Sequence, residues 1–183
     1  MALRVEPSGQ ACGARVTGVD LSRPLDPATV AELRAAWLEH HVLAFPDQRI
    51  GDDDLERFTL AFGGFGDDPF FAPIPGRQHI AAIRREADET SPLFAENWHA
   101  DWSFQAHPPA GTCLLAVDIP PVGGDTLFAN QHLAWEALSP ELQQRILPLA
   151  RERRIGVIVN RPFRQGDLTQ ALAGKPLPGW GAE

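Results

Sequence analysis

Apolar and polar positions change period along this chain, and each change marks an element. Leu3 to Glu6 and Ala14 to Val19 alternate, with Pro7-Ser8-Gly9 between them. Alternation puts successive side chains on opposite faces, and Pro and Gly favour a turn, so the stretch predicts two short strands. A helix follows, with Asp26 as its cap and Pro27 in its first turn; Val30, Leu33, Trp37 and Leu38 recur on one face until His40. His41 to Phe45 reads as a buried strand ended by Pro46. A second helix begins near Asp52, with Leu55, Phe58 and Phe62 as its apolar face. Asp52, Asp53 and Asp54 suit the positive end of a helix, and three consecutive carboxylates there predict a solvated helix start rather than a metal site.

Gly63 to Gln78 is rich in Gly, Pro and Phe without a regular period, which predicts a loop long enough to serve as a lid. Strand-like segments follow at His79 to Arg84, Asn97 to Phe104, Thr112 to Val117 and Asp125 to Ala129, joined by Pro and Gly turns. Asn130 to Leu138 and Ser139 to Leu147 predict two helical stretches, the second capped by Ser139 with Pro140 in its first turn. After Pro148 the pattern decays, leaving Ile155 to Val159 as one more strand in a loosely held tail. Strands at this spacing, with helices gathered on the N-terminal side, predict a mostly β fold with flanking helices: an antiparallel sandwich or jelly roll.

At 183 residues the chain is long enough for one domain with its own core. Its formal net charge of -8 argues against a nucleic-acid or anionic-membrane partner, because phosphates reward basic surfaces, and leaves a small molecule as the expected partner. Cys12 and Cys113 form neither a CxxC motif nor a disulfide framework, so a reducing compartment and two small buried thiols are expected. There is no apolar run of about 20 residues and no N-terminal basic-then-apolar leader, which predicts a cytoplasmic protein.

Candidate chemistry concentrates in Asn97-Trp98-His99-Ala100-Asp101-Trp102-Ser103-Phe104. In an extended stretch His99 and Asp101 face the same way, and an imidazole with a carboxylate can close on one metal ion. A facial triad of two His and one carboxylate holds ferrous iron and leaves positions for cosubstrate and oxygen; these two residues supply two of its three ligands. A single His-x-Asp pair also arises by chance, as an ordinary exposed strand pair.

Together with Pro108-Pro109-Ala110-Gly111-Thr112 and Pro120-Pro121-Val122-Gly123-Gly124-Asp125-Thr126-Leu127-Phe128-Ala129-Asn130, the segment resembles, in order and spacing, the taurine dioxygenase (TauD/TfdA-type) family of Fe(II)- and 2-oxoglutarate-dependent dioxygenases. Gly18 to Leu25, the helix before His40-His41-Val42-Leu43, and Phe62-Gly63-Gly64 share in the likeness, which runs from Leu3 to Leu147. The resemblance implies a double-stranded β-helix, the cupin-like jelly roll, incomplete at its C-terminus, with residues 1–147 as the N-terminal part of the catalytic domain and 148–183 as a divergent, disordered tail. It implies Fe(II) bound by His99 and Asp101, 2-oxoglutarate as cosubstrate with Thr126 holding its distal carboxylate, and hydroxylation of a small organic substrate by O2 with succinate and CO2 as coproducts. For Gly123 to Thr126 a simple turn before a strand is the bland alternative.

The family's downstream histidine ligand and its 2-oxoglutarate-binding arginine have no counterpart motif here. No histidine follows His132, and Arg151, Arg153, Arg154, Arg161 and Arg164 read as a solvated basic stretch. His107 and His132 are the alternative third ligands, though neither stands in the family's position. The lone chain is therefore expected to turn over little, and exposed sheet edges would favour a homo-oligomer. A truncated noncatalytic remnant, or a metal-binding jelly-roll protein using His99, Asp101 and His107, is the competing expectation. Where the taurine enzyme places a His and a Tyr near its substrate, the loop here offers Asp68 and Phe71. An aspartate repels a sulfonate, so taurine is not the expected substrate.

Overall fold

A computed structural model describes residues 2–68, 70–90, 97–103 and 105–153. They fall into two compact units: one holds the described residues up to Ala87 and those from Trp102 to Asn130, the other holds those of Asp88–Asp101 and those from Gln131 onward.

The first unit begins with the expected hairpin. Strands β1 (Arg4–Pro7) and β2 (Ala14–Thr17) pair antiparallel, with Val5 opposite Val16. Strand β3 (Leu43–Ala44) joins the other side of β2 in parallel, with Ala14 opposite Leu43. Along β2, Ala14 and Val16 are buried while Arg15 is exposed, the period-two pattern of a sheet with one covered face.

Helix α1 (Pro27–His40) starts where its sequence signals place it. Asp26 Oδ1 accepts from the backbone N–H groups of Ala28 (2.9 Å) and Thr29 (3.0 Å), and Asp26 Oδ2 accepts from the Thr29 hydroxyl (2.7 Å). The helix ends on His41, whose φ of 65° is left-handed and whose N–H returns to Trp37 O at 2.7 Å. Leu33 and Ala36 are its buried residues; with Ala14, Val16 and Leu21 they form the core among the described residues. Burying Leu33 or Val16 fully contributes roughly 1.5–3 kcal/mol each. Leu38 departs from expectation, being 68% exposed. At about 100° per residue it stands about 140° around the helix from Leu33, outside the core-facing stripe that Ala36 occupies instead.

Helix α2 (Asp52–Phe62) begins after Gly51, whose N–H donates to Asp54 Oδ2 at 3.0 Å. Its apolar face is the expected one: Phe58 meets Phe45 edge-on at 5.3 Å and Phe62 at 5.0 Å, and Phe62 meets Trp37 of α1 at 6.0 Å. Gln48 ties the chain between them, accepting from Leu21 N (2.9 Å) and donating to Val19 O and Pro46 O (3.2 Å each). The Trp37 ring also lies over Gly111, where a Cβ would meet ring carbon Cζ2 at 2.5 Å; only glycine admits that approach without a shift. Asn130 Nδ2 donates to Ala11 O at 2.8 Å, fastening the end of the apolar Thr112 to Ala129 region to the hairpin connection.

The second unit contains α3 (Gln131–Glu136) and α4 (Pro140–Arg153). Gln143 Nε2 donates to Trp135 O at 2.9 Å, and Ser139 Oγ accepts from Leu142 N at 3.3 Å as the expected cap of α4.

Three further sequence expectations need correction. Helix α4 runs past Leu147 and carries Pro148 inside it; proline removes one N–H from the ladder, and the helix continues through its remaining bonds. Cys113 is exposed and Cys12 only half-buried, so neither is a core thiol. The described residues of His79 to Arg84, Asn97 to Phe104, Thr112 to Val117 and Asp125 to Ala129 are irregular rather than strands. A strand needs a ladder partner for its N–H and C=O groups, and no ladder reaches these segments among the described residues. Their apolar side chains consequently face out, with Val117 90% and Leu127 72% exposed. The strand expected at Ile155 to Val159 lies outside the described residues.

Candidate metal centre

His99 and Asp101 reach each other without the strand expected to carry them. Residues 98–100 are irregular and Asp101-Trp102-Ser103 form a turn. His99 Nε2 lies 3.1 Å from Asp101 Oδ1, with both side chains about two-fifths exposed, 43% and 40%. The other ring nitrogen, His99 Nδ1, is 2.8 Å from Asn97 O. A carbonyl oxygen only accepts, so Nδ1 carries the hydrogen and donates it there.

That bond decides what the pair can do. With the ring hydrogen on Nδ1, the neutral imidazole presents a lone pair at Nε2, directly opposite a carboxylate oxygen. Two acceptors at this separation repel unless a positive charge lies between them, either a second proton or a cation held jointly. Two ligand atoms about 2.1 Å from one ion, in adjacent octahedral positions, are about 3.0 Å apart. The observed spacing, the nitrogen and oxygen donors, and a backbone carbonyl fixing the tautomer from behind all fit a divalent transition metal such as ferrous iron.

The other candidates differ in setting. Thr126 belongs to the first unit, exposed on the irregular chain just after Gly123 and Gly124, whose φ values of 81° and 75° turn the backbone sharply. The backbone turns here, as the bland reading expects, but no strand follows it. His107 and His132 are both exposed, and among the described residues no group of three His, Cys, Asp or Glu side chains is placed to hold one ion. The acidic start of α2, expected to be a solvated helix start, is instead paired with protein cations. Arg77 pairs with Asp53 (2.5 Å), Glu56 (3.0 Å) and Asp52 (3.7 Å), and Asp54 pairs with Arg57 at 2.7 Å. The Gly51 N–H and Arg57 together hold the Asp54 carboxyl below its ordinary range, and the Asp53 hydrogen bond foremost raises Arg77. Asp68 is engaged with backbone, its Oδ1 accepting from Phe70 N (2.8 Å) and Phe71 N (3.0 Å).

The sequence reading missed Trp102. Its φ of 51° is left-handed, unusual for so large a side chain, and its ring meets Phe70 edge-on at 6.0 Å and stacks near-parallel to Phe71 at 6.3 Å. A tryptophan beside a candidate ligand, facing a Phe-Phe pair on a preceding loop, was the available signal.

The model of the family "Taurine catabolism dioxygenase TauD, TfdA family" matches residues 4–171. The chain is 37% identical over 147 residues to an (S)-phenoxypropionate/alpha-ketoglutarate-dioxygenase of Delftia acidovorans, covering 74% of this chain and 49% of that protein. It is 32% identical over 143 residues to an alpha-ketoglutarate-dependent sulfate ester dioxygenase of Pseudomonas putida, covering 78% and 46%. A crystal structure of a taurine dioxygenase from Burkholderia xenovorans is similar with TM-score 0.62 and 33% identity, over 79% of this chain and 51% of that one. The chain thus spans about half the length of the relatives it matches. A family match over most of the chain, with relatives above 30% identity, shows that this protein belongs to the taurine catabolism dioxygenase TauD, TfdA family.

Proposed function

We propose that this chain carries part of an Fe(II)- and 2-oxoglutarate-dependent dioxygenase domain, with His99 and Asp101 as two iron ligands and Thr126 as a hydrogen-bond donor to the distal carboxylate of 2-oxoglutarate. The reading rests on one observation: His99 Nε2 lies 3.1 Å from Asp101 Oδ1 while Nδ1 lies 2.8 Å from Asn97 O. Family membership supports it, since the named relatives use alpha-ketoglutarate on different small molecules.

Bound iron and 2-oxoglutarate would supply the activation of oxygen, one atom entering the substrate as hydroxyl and the other entering succinate as CO2 leaves. The chain's own part is placement. Asn97 O orients the ring by accepting from Nδ1, which leaves Nε2 as the nitrogen turned toward Asp101; Asp101 adds a negative charge that favours a divalent cation, and the Thr126 hydroxyl can donate to a carboxylate. Asp68 places a carboxylate beside Phe71 on the 63–78 loop, which disfavours a sulfonate and points to a substrate other than taurine.

The fold and setting belong to the same proposal. Residues 1–147 form the dioxygenase part and 148–183 a divergent tail; the exposed apolar Thr112 to Ala129 region is, in the isolated chain, a surface for self-association. No described helix is long and apolar enough to cross a membrane, in keeping with a cytoplasmic enzyme.

Anaerobic titration with ferrous iron and 2-oxoglutarate, followed by the visible charge-transfer band of the chelate, tests the reading. The band is expected in the wild-type chain and absent from His99→Ala and Asp101→Ala. A wild-type chain without it, or variants that keep it in full, would overturn the assignment.

A further inference from the structure

The 63–78 loop leaves one end of α2 and returns to the other. Its exit is fixed by Arg34 of α1, which donates to Phe62 O at the last residue of the helix. At Arg77 the chain is back beside the first turn, where the guanidinium faces Asp53, Glu56 and Asp52 at 2.5, 3.0 and 3.7 Å. The 11 residues of the helix rise only about 16 Å, whereas the 14 residues from Gly63 to Gly76 can reach about 46 Å when extended. The loop therefore has slack, and its fastenings set its place.

These fastenings differ between the two limbs. On the outgoing limb they are uncharged. Gln105 Nε2 donates to Asp67 O at 2.8 Å, Trp102 meets the rings of Phe70 and Phe71, and a Cβ on Gly66 would stand 3.2 Å from Pro109 Cβ. Phe65 stacks on His79 at 4.1 Å and closes the base of the loop. On the return limb a tight turn presents a charge. Arg77 N donates to Ile74 O at 3.1 Å across Pro75 and Gly76, and Gly76 has the φ of 81° that the third position of a type II turn requires. Ile74 N donates to Ile80 O at 2.8 Å, closing the turn from behind. The Arg77 and Glu56 side chains are only 25% and 23% exposed, so their contact is stronger than that of a fully solvated pair.

We propose that the 63–78 loop is a strap with an ionic latch: Arg77, presented by the Ile74–Arg77 turn, fastens the return limb to the acidic start of α2. Without the guanidinium, Asp52, Asp53 and Glu56 are left as neighbouring like charges, and the return limb loses its tie to the helix. The outgoing limb keeps its uncharged fastenings, so the strap opens at one limb only. The acidic triplet thereby holds a loop as well as starting a helix. The inference uses none of the residues proposed to bind iron or 2-oxoglutarate, and it stands or falls apart from that function.

Amide hydrogen exchange of the full chain at fixed pH, resolved by nuclear magnetic resonance, reads the limbs separately. The Phe70 and Phe71 amides, bonded to Asp68, report the outgoing limb; the amides of Ile74 and residue 77 report the return limb; the Leu33 amide in α1 reports the fold. Arg77→Met keeps an apolar stem without the charge, and is expected to speed exchange in the return limb about tenfold and leave the other amides unchanged. Arg77→Lys, which keeps the charge, is expected to restore most of the protection. Raising sodium chloride from about 0.01 M to about 1 M shortens the screening length from about 30 to about 3 Å, and should speed the wild-type return limb about threefold while leaving Arg77→Met unaffected. Return-limb exchange that ignores both the charge and the salt overturns the proposal. Exchange that rises equally at Phe70 and Phe71, or at Leu33, overturns it too, because Arg77 would then support the whole loop or the whole fold. Should Arg77→Met fail to fold, the salt series on the wild type and Arg77→Lys decides by the same criteria.

Discussion

His99 Nε2 stands 3.1 Å from Asp101 Oδ1 although neither residue lies on a strand. Because the side chains are half-exposed and fill no core, His99→Ala and Asp101→Ala should each weaken ferrous iron binding while far-UV circular dichroism and thermal midpoint stay at wild-type values. Loss of secondary structure in either variant would reveal a structural pair instead.

Thr126 is open to solvent and free of strand structure, so its replacement is cheap for the fold. Thr126→Ala is expected to weaken 2-oxoglutarate binding by about 1.5–3 kcal/mol, the usual contribution of a hydrogen bond to a charged group, with iron affinity unchanged. Calorimetric titration of each ligand distinguishes this from general damage, which would lower both affinities together.

Gln48 satisfies three backbone groups at once, the N–H of buried Leu21 and the carbonyls of Val19 and Pro46. Gln48→Ala leaves the Leu21 donor without this partner and should cost about 1–3 kcal/mol in urea unfolding, at unchanged denaturant slope. Gln48→Glu retains the acceptor for Leu21 but not the amide donors, and should fall between the two. A Gln48→Ala chain as stable as wild type would show that water replaces all three bonds.

Asp26 ties its pH behaviour to the start of α1. The Thr29 hydroxyl foremost, then the Thr29 and Ala28 amides, hold its carboxyl below the ordinary value of 3.8. A depressed folded-state pKa contributes stability that is present above the unfolded value and lost as pH falls through the folded one. The thermal midpoint should therefore drop on acidification below about pH 4, with Asp20 and Asp54, also depressed, adding to the fall. Asp26→Ala should start lower at neutral pH and drop less steeply, so parallel pH profiles for the two chains would contradict the cap's role.

Most features set by neighbouring residues were legible from the chain. The hairpin, the Asp26 cap with Pro27, the aromatic face of α2 and the Ser139 cap each depend on residues near one another in the chain. The His99 and Asp101 pairing was legible for the same reason, since two residues so close in sequence can meet whether the chain between them is strand or turn. Tertiary structure decided what depends on distant partners. It selected Ala36 over Leu38 for the core, joined Gln48 to groups up to 29 positions away, laid Trp37 over Gly111 and brought Phe70 and Phe71 to Trp102. The segments expected as strands at Thr112 to Val117 and Asp125 to Ala129 show the limit most plainly. An alternating or apolar run states a preference for a pleated surface, but a strand exists only where another backbone accepts its hydrogen bonds, and no described backbone does so here.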